Sequence, residues 1–302
     1  MSLNSEQIKN TDISQYILIT PARNEEEFIK LTIDSVIKQT LIPLKWVIIS
    51  DGSTDRTDEI VKEYVKSYPF IKLISRNPSA ERNFASKVNA IKEGYESIKD
   101  LKFDYIGFSD ADMSCESNFF ESIIDRMNRN PKQGIGGGVV YEKETELWSP
   151  VVASYDWSVS GTMQMFRRQC YEEIDGYKPL KRGGIDTIAE VMARINGWEV
   201  KTFVDIKLFH HRIMGAKRGN KVKSNFKRGI LEYSIGYHPL IQILRFFSRI
   251  PSPPFFIASF MRTLGYYFAL FRREPFSVPD NIIEYFRKEQ LNRVITSFLK
   301  KF

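Results

Sequence analysis

Asp110-Ala-Asp112 directly follows the apolar run Tyr105-Ile-Gly-Phe-Ser109, and carboxylates at that spacing point the same way while the chain stays extended. Like charges so crowded call for a cation. Hard oxygen donors select Mg²⁺ or Mn²⁺, which take one or two carboxylates together with substrate phosphates. Two solvated loop acids are the other reading of the same residues. Asp51-Gly-Ser-Thr-Asp55 ends a second apolar run. Its Gly, Ser, Thr and last Asp serve turns and helix caps, whereas Asp51, at the strand end, can accept a hydrogen bond from a nucleobase N–H. Pro21-Ala-Arg-Asn-Glu25 ends a third run; Asn24 and Glu25 either open a helix or wall a nucleotide pocket.

These loops need strands to carry them. Tyr16–Thr20, Trp46–Ser50, Ile71–Ser75 and Tyr105–Ser109 are short apolar runs, each followed by residues with helical periodicity: Glu25–Lys38, Asp55–Val65, Glu81–Ile98 and Ser117–Asn128. Four strand-then-helix units predict an α/β fold, a mostly parallel sheet flanked by helices. Ligands in such sheets sit beyond the carboxyl ends of the strands, where the acids fall. A strand at Thr162–Arg167 and a helix at Asp186–Ile195 are also predicted. Gly136-Gly-Gly138 precedes a strand at Val139–Tyr141, the reverse of a phosphate-loop order, so a close backbone approach to sugar or acceptor is expected there instead.

Composition bounds the classes. With 302 residues, 42% hydrophobic and 13% aromatic, the chain can fill a sizeable core and is not disordered. Two cysteines, Cys115 and Cys170, exclude a disulfide scaffold and fit a reducing, cytoplasmic setting. Lys plus Arg number 44 against 37 Asp plus Glu, and the net charge of +7 favours an anionic partner. Residues 1–13 read as a loose polar leader without a signal peptide. Nucleic acid is disfavoured as a partner, because the basic residues gather in an aromatic C-terminal third without a nucleic-acid motif.

Pro21-Ala-Arg-Asn-Glu25, Asp51-Gly-Ser-Thr-Asp55, Arg82-Asn83 at a helix start and Asp110-Ala-Asp112, in that order and strand context, resemble the family 2 glycosyltransferases with the GT-A fold. The likeness runs over residues 16 to 212, and the domain it implies over residues 14–215. It implies sugar transfer from a nucleotide-diphosphate sugar donor to an acceptor hydroxyl with inversion at the anomeric carbon, for a cell-surface polysaccharide or lipid-linked glycan. By position, Pro21, Arg23, Glu25, Asp51, Ser53, Arg82 and Asp110 would bind the nucleotide sugar. Asp112, with Asp110, would hold Mn²⁺ or Mg²⁺, and His211, preferred over His210, would complete the metal shell. The family's catalytic base comes from a Glu-Asp pair opening a helix. Here Gly183-Gly-Ile-Asp186 places Asp186 on the base position and Ile185 where the Glu stands; the alternatives are Asp186 as a plain N-cap and Glu190, one turn on, as the base. Two rival classes are a sugar-phosphate nucleotidyltransferase, against which the glycine-free Pro21–Glu25 loop argues, and a non-catalytic membrane-associated scaffold of the same fold, which Ile185 favours. Trp148, Tyr155 and Trp157 either stack on an acceptor or are buried.

From 216 to 302 the character changes to a helical, basic and aromatic C-terminal region. Leu240–Phe271 is interrupted by Arg245, Arg249, Arg262 and three prolines, too broken to span a bilayer. Its aromatic residues with interspersed arginines match amphipathic helices lying on an anionic membrane surface, with Lys217–Arg228 adding attraction. That reading makes the enzyme peripheral on the inner face of the cell membrane. Packing on the catalytic domain or pairing as a homodimer is the alternative use of these helices.

Overall fold

Apolar runs buried on both faces belong at the centre of a sheet, and β1 (Tyr16–Ala22) lies there, between β2 (Lys45–Asp51) and β4 (Tyr105–Ser109). The structure, a computed structural model, describes residues 14–77, 84–144, 147–151, 157–212, 221–249 and 255–299. With β3 (Ile71–Arg76) the first four strands run parallel, linked by α1 (Ile29–Val36), α2 (Thr57–Ser67) and α3 (Phe84–Glu96). Then follow β5 (Met113–Cys115), α4 (Phe119–Asn128), β6 (Gln133–Glu144), β7 (Leu147–Pro150), β8 (Met163–Arg167), α5 (Arg168–Glu173), α6 (Ile185–Ile195) and β9 (Glu199–His210). The sheet order is β3-β2-β1-β4-β8-β6-β9-β5, with β7 on β6. Beyond β4 the sheet is mixed: β8 is antiparallel to β4 and β6, and β6 runs parallel to β9.

The period of two divides the core between the faces. Ile17, Ile19, Val47 and Ile49 meet Val88 and Ile91 of α3 and Ile188 of α6 on one side. Tyr16, Leu18, Trp46 and Ile48 meet Ile29, Ile33, Val61 and Phe120 on the other. Gly136, Gly137 and Gly138 lie inside β6. A Cβ on Gly138 would stand 2.6 Å from the Ile206 carbonyl oxygen, at a register shift against β9. The close approach at Gly138 is therefore to the protein's own backbone, and Gly136 and Gly137 meet the side chains of Met127 and Val159.

After residue 220 the described elements are all helices: α7 (Lys221–Ser234), α8 (Pro239–Arg249), α9 (Phe255–Phe271) and α10 (Asp280–Leu299). Ile282, Ile283 and Phe286 of α10 share the apolar cluster of Ile185 and Ile188, so the core continues from the sheet domain into these helices. Among the described residues no helix is long and apolar enough to cross a membrane.

Candidate active site

Strand register aligns the three acid-bearing loops. Ala22 pairs with Ser50, Ile19 with Phe108 and Asp51 with Arg76, so β1, β2 and β4 end at one edge. A cavity of about 810 Å³ opens there, lined by Pro21, Arg23, Glu25, Asp51, Asp110 and Asp112. A second, of about 600 Å³, shares Pro21, Phe84, Lys87, Asp110 and Asp112 with it and extends to Glu142, Asp186, His210 and Arg212. The two form one cleft.

Asp112 is brought to its partners by a long-range pairing. β5 runs antiparallel to β9, Met113 opposite His210, and the Asp112 carbonyl accepts the His211 N–H at 2.9 Å. Arg212 Nε donates to Asp112 Oδ2 at 2.8 Å, and His210 Nε2 lies 3.4 Å from the same oxygen. Burial pushes the Asp112 carboxyl up, but His210 and Arg212 outweigh it and hold it at about 2. Arg212 also reaches Glu25, and its guanidinium lies 5.2 Å from the centre of the Phe28 ring. Burial, then Asp112, raises Glu25 to about 7 against the pull of Arg212. The His210 ring is clamped from its other side by Glu142, whose Oε1 lies 3.2 Å from Nδ1.

Asp110 pairs with Lys87 of α3. Burial works against a charge on Lys87; Asp110, Asp186 and Asp112 overcome it and raise its pKa. Asp51 is held by Arg76 Nη1 at 2.8 Å, with Arg23 Nη1 4.0 Å from its other oxygen. Lys181, Arg182 and Lys227 complete a basic wall of the larger cavity. The cleft thus combines acids at its floor with cations above, an arrangement that accepts both a divalent ion and a diphosphate.

Asp186 lines the cleft in the first turn of α6. The N-cap is Gly184, in the left-handed region at φ 81°, so Asp186 does not cap the helix. Among the described residues no hydrogen bond or ion pair engages its carboxylate, and a Cβ on Gly161 would stand 2.5 Å from its Oδ2. The absence of a side chain at 161 gives the carboxylate its room.

Some predicted residues fall elsewhere. Ser53 ties loops together, accepting from Asn24 N at 3.2 Å and from Ser50 Oγ at 2.8 Å. His211 turns to Ser114, Nε2 to Oγ 2.7 Å, and edges onto Trp148; the imidazole on Asp112 is that of His210. Glu190 is 2% exposed and does not line the cleft. It accepts from Val159 N at 2.7 Å and Ser158 Oγ at 2.9 Å, and so holds the segment that walls the cleft. Trp148 packs on Phe209, and Trp157 lies under Arg293, 3.6 Å from the ring centre. Arg82 and Tyr155 lie outside the described residues. Lys87, Glu142 and Arg76 were not marked by the sequence: a lysine inside a helix and a glutamate inside a strand carry no local signature.

Among the described residues no three His, Cys, Asp or Glu side chains already converge as a ligand set. The donor chemistry nevertheless fits Mn²⁺ or Mg²⁺: two carboxylates and an imidazole on one wall. Arg212 and Lys87 are their present counter-charges, with side chains 36% and 30% exposed.

The family model "Glycosyl transferase family 2" matches residues 17–183. An uncharacterized glycosyltransferase, EpsJ of Bacillus subtilis (strain 168), is 31% identical over 121 residues, 40% of this chain and 33% of that protein. The poly-beta-1,6-N-acetyl-D-glucosamine synthase of Staphylococcus epidermidis is 32% identical over 111 residues, 37% of this chain and 25% of that protein. The chain therefore spans a third or less of these relatives' length. Among solved structures, the mannosyltransferase PcManGT from Pyrobaculum calidifontis, in complex with GDP-Man and Mn²⁺, superposes with a TM-score of 0.56 at 15% identity, over 87% of this chain and 75% of that one.

Proposed function

The chain belongs to glycosyl transferase family 2, and from that premise we propose that it is a metal-dependent, inverting enzyme. It moves a sugar from a nucleotide-diphosphate sugar to an acceptor hydroxyl, in building a cell-surface polysaccharide or lipid-linked glycan at the inner face of the cell membrane. One observation carries this reading: Asp51 of β2, Asp110 and Asp112 between β4 and β5, and Asp186 of α6 line one continuous cleft.

Pro21, Arg23, Glu25 and Asp51 form the wall for base and ribose, with Arg76 fixing the Asp51 carboxylate. Lys87, Lys181, Arg182 and Lys227 face the diphosphate. Asp112, Asp110 and His210 are the residues that would hold Mn²⁺ or Mg²⁺, which when bound neutralises the charge developing on the departing nucleoside diphosphate. Asp186, unencumbered and on the same cleft, takes the acceptor proton as the acceptor oxygen attacks the anomeric carbon from the face opposite the leaving group. Ile185 is 7% exposed and packs in the core beside Ile188. It also lines the smaller cavity beside Asp186, and with an isoleucine there Asp186 is the acid that this turn offers as the base.

The test is a thermal-shift panel of nucleoside diphosphates with and without Mn²⁺. A ligand at a hundred times its Kd stabilises the native state by about 2.7 kcal/mol. The wild type should shift strongly only with metal present, and Asp112→Asn should lose the metal-dependent part. Equal shifts with and without Mn²⁺, or an unaffected Asp112→Asn variant, would overturn the metal assignment.

A further inference from the structure

The helices after the cleft carry their charges on the inside and their apolar groups on the outside. Glu232 of α7 is 3% exposed and takes Arg245 Nη1 at 3.0 Å, Arg249 Nη2 at 3.2 Å and Arg262 Nε at 2.9 Å, with Gln242 at 3.0 Å. The three arginines interspersed in Leu240–Phe271 therefore turn inward. What faces outward is Leu240, Leu244 and Phe247 of α8, and Phe256, Phe260, Leu264, Phe268 and Phe271 of α9. The α9 residues recur at steps of four, four, four and three, which is one stripe along a helix. Phe246 and Phe256, 5.6 Å apart, join the two helices. Phe247 is 62% exposed and Phe271 81%. So much contiguous aromatic surface marks an interaction site.

Charge selects the occupant. Between Lys217 and Arg273 the sequence holds a single acid, Glu232, and that acid is buried. The outer face of α7 to α9 therefore presents no carboxylate, while Lys223 of α7 and Arg272 and Arg273 after α9 are exposed, at the end where Phe226 packs on Phe268. A second copy set against this face would bring cations together with no carboxylate to meet them. An anionic bilayer supplies the opposite charge at its headgroups and an apolar layer beneath them.

We propose that the α8–α9 stripe inserts into the interface of an anionic lipid bilayer, with Lys223 of α7 and the arginines after Phe271 at headgroup level. α7 links that surface to the cleft: Phe226 packs on Phe268 at 5.4 Å, and Arg228 lines the smaller cavity that holds Asp186. The acceptor side of the cleft then lies next to the membrane, and the acceptor hydroxyl belongs to a lipid-borne glycan. This last step rests on the glycosyltransferase reading; the docking itself does not.

The experiment uses the full chain and sedimentation with vesicles of phosphatidylcholine alone or with about 30% phosphatidylglycerol. The wild type should bind the anionic vesicles, and Phe247→Ser/Phe256→Ser/Phe271→Ser should bind them at least about tenfold more weakly, with its unfolding midpoint and nucleoside-diphosphate shift unchanged. Failure of the wild type to sediment, undiminished binding by the variant, or a wild-type dimer that the variant dissociates would each overturn the proposal. Nucleotide shifts are read separately on the same samples, so loss of donor binding would count against the catalytic reading and leave the docking result standing.

Discussion

Replacing Glu232 by Gln removes one negative charge from among three guanidiniums and changes almost nothing in shape. Two routes give the magnitude. Burial raises the Glu232 carboxyl, yet Arg262, Arg245 and Arg249 hold it at about 2 against an ordinary 4.5. A depression of that size corresponds to about 3 kcal/mol of native-state stability at neutral pH. Independently, breaking a buried ion pair by removing one partner costs about 3–5 kcal/mol, because the remaining charge stays buried. Arg249 is already pushed down to about 10, by burial first and then by its neighbouring arginines, so the cluster has no spare capacity for losing its acid. The expected loss for Glu232→Gln is about 3 kcal/mol, read from urea unfolding of variant and wild type. The pH dependence has a definite sign. A depressed carboxyl contributes fully above 4.5 and loses its contribution as pH falls through 2, so the gap between the proteins should close on acidification. A gap below about 1 kcal/mol at neutral pH, or one that does not narrow towards pH 2, would refute the inward-facing cluster.

Asp186→Asn should retain the metal-dependent nucleoside-diphosphate shift and lose transfer by at least about a hundredfold; full activity would move the base elsewhere. Glu190→Ala strands the buried Val159 N–H and should cost about 2–4 kcal/mol in thermal or urea unfolding. Glu190→Gln separates charge from hydrogen bonding: burial raises the native carboxyl to about 8, so its contribution is full below 4.5 and declines as pH rises through 8. The wild type should therefore lose stability between pH 5 and 9 and the Gln variant should not; parallel melting profiles over that range would contradict the assignment.

The strands of the first half were legible because buried parallel strands read as uninterrupted apolar runs, and their ends mark the ligand edge without further information. Asp51, Asp110 and Asp112 needed only that rule. What was not legible depended on pairing and rotation. His210 ends β9 and His211 follows it, and only the register, His210 opposite both Glu142 and Met113, tells which one meets Asp112. Glu190 follows Asp186 by one turn, but α6 buries Ile188, Ala189, Glu190 and Val191 together, which rotates that acid beneath the cleft. The arginines of α8 and α9 looked outward because an amphipathic helix normally sheds its charge to water. The countersignal was Glu232, the lone acid between Lys217 and Arg273, which can serve as an internal anchor for several arginines.

That inward anchoring also explains why the catalytic and C-terminal parts act as one body. α7 carries Phe226 to the exposed stripe, Lys227 to the cleft and Glu232 to the arginine cluster within a helix of 14 residues. Gly229 and Gly265 let α7 and α9 cross with their backbones in contact: a Cβ on Gly229 would meet the Arg262 carbonyl, and one on Gly265 the Phe226 carbonyl. Arg182 in the loop before α6 pairs with Glu274 just beyond α9 at 2.8 Å, and Arg194 of α6 pairs with Glu289 of α10 at 2.5 Å. The helix that presents Asp186 is thus braced by α10, and the loop before it by the segment that follows α9. A truncation at residue 215 would strip cover from Ile185 and Ile188 and disturb Asp186 together with the docking surface. Substitutions confined to the exposed phenylalanines leave that bracing untouched, and for this reason they separate membrane docking from catalysis where a truncation cannot.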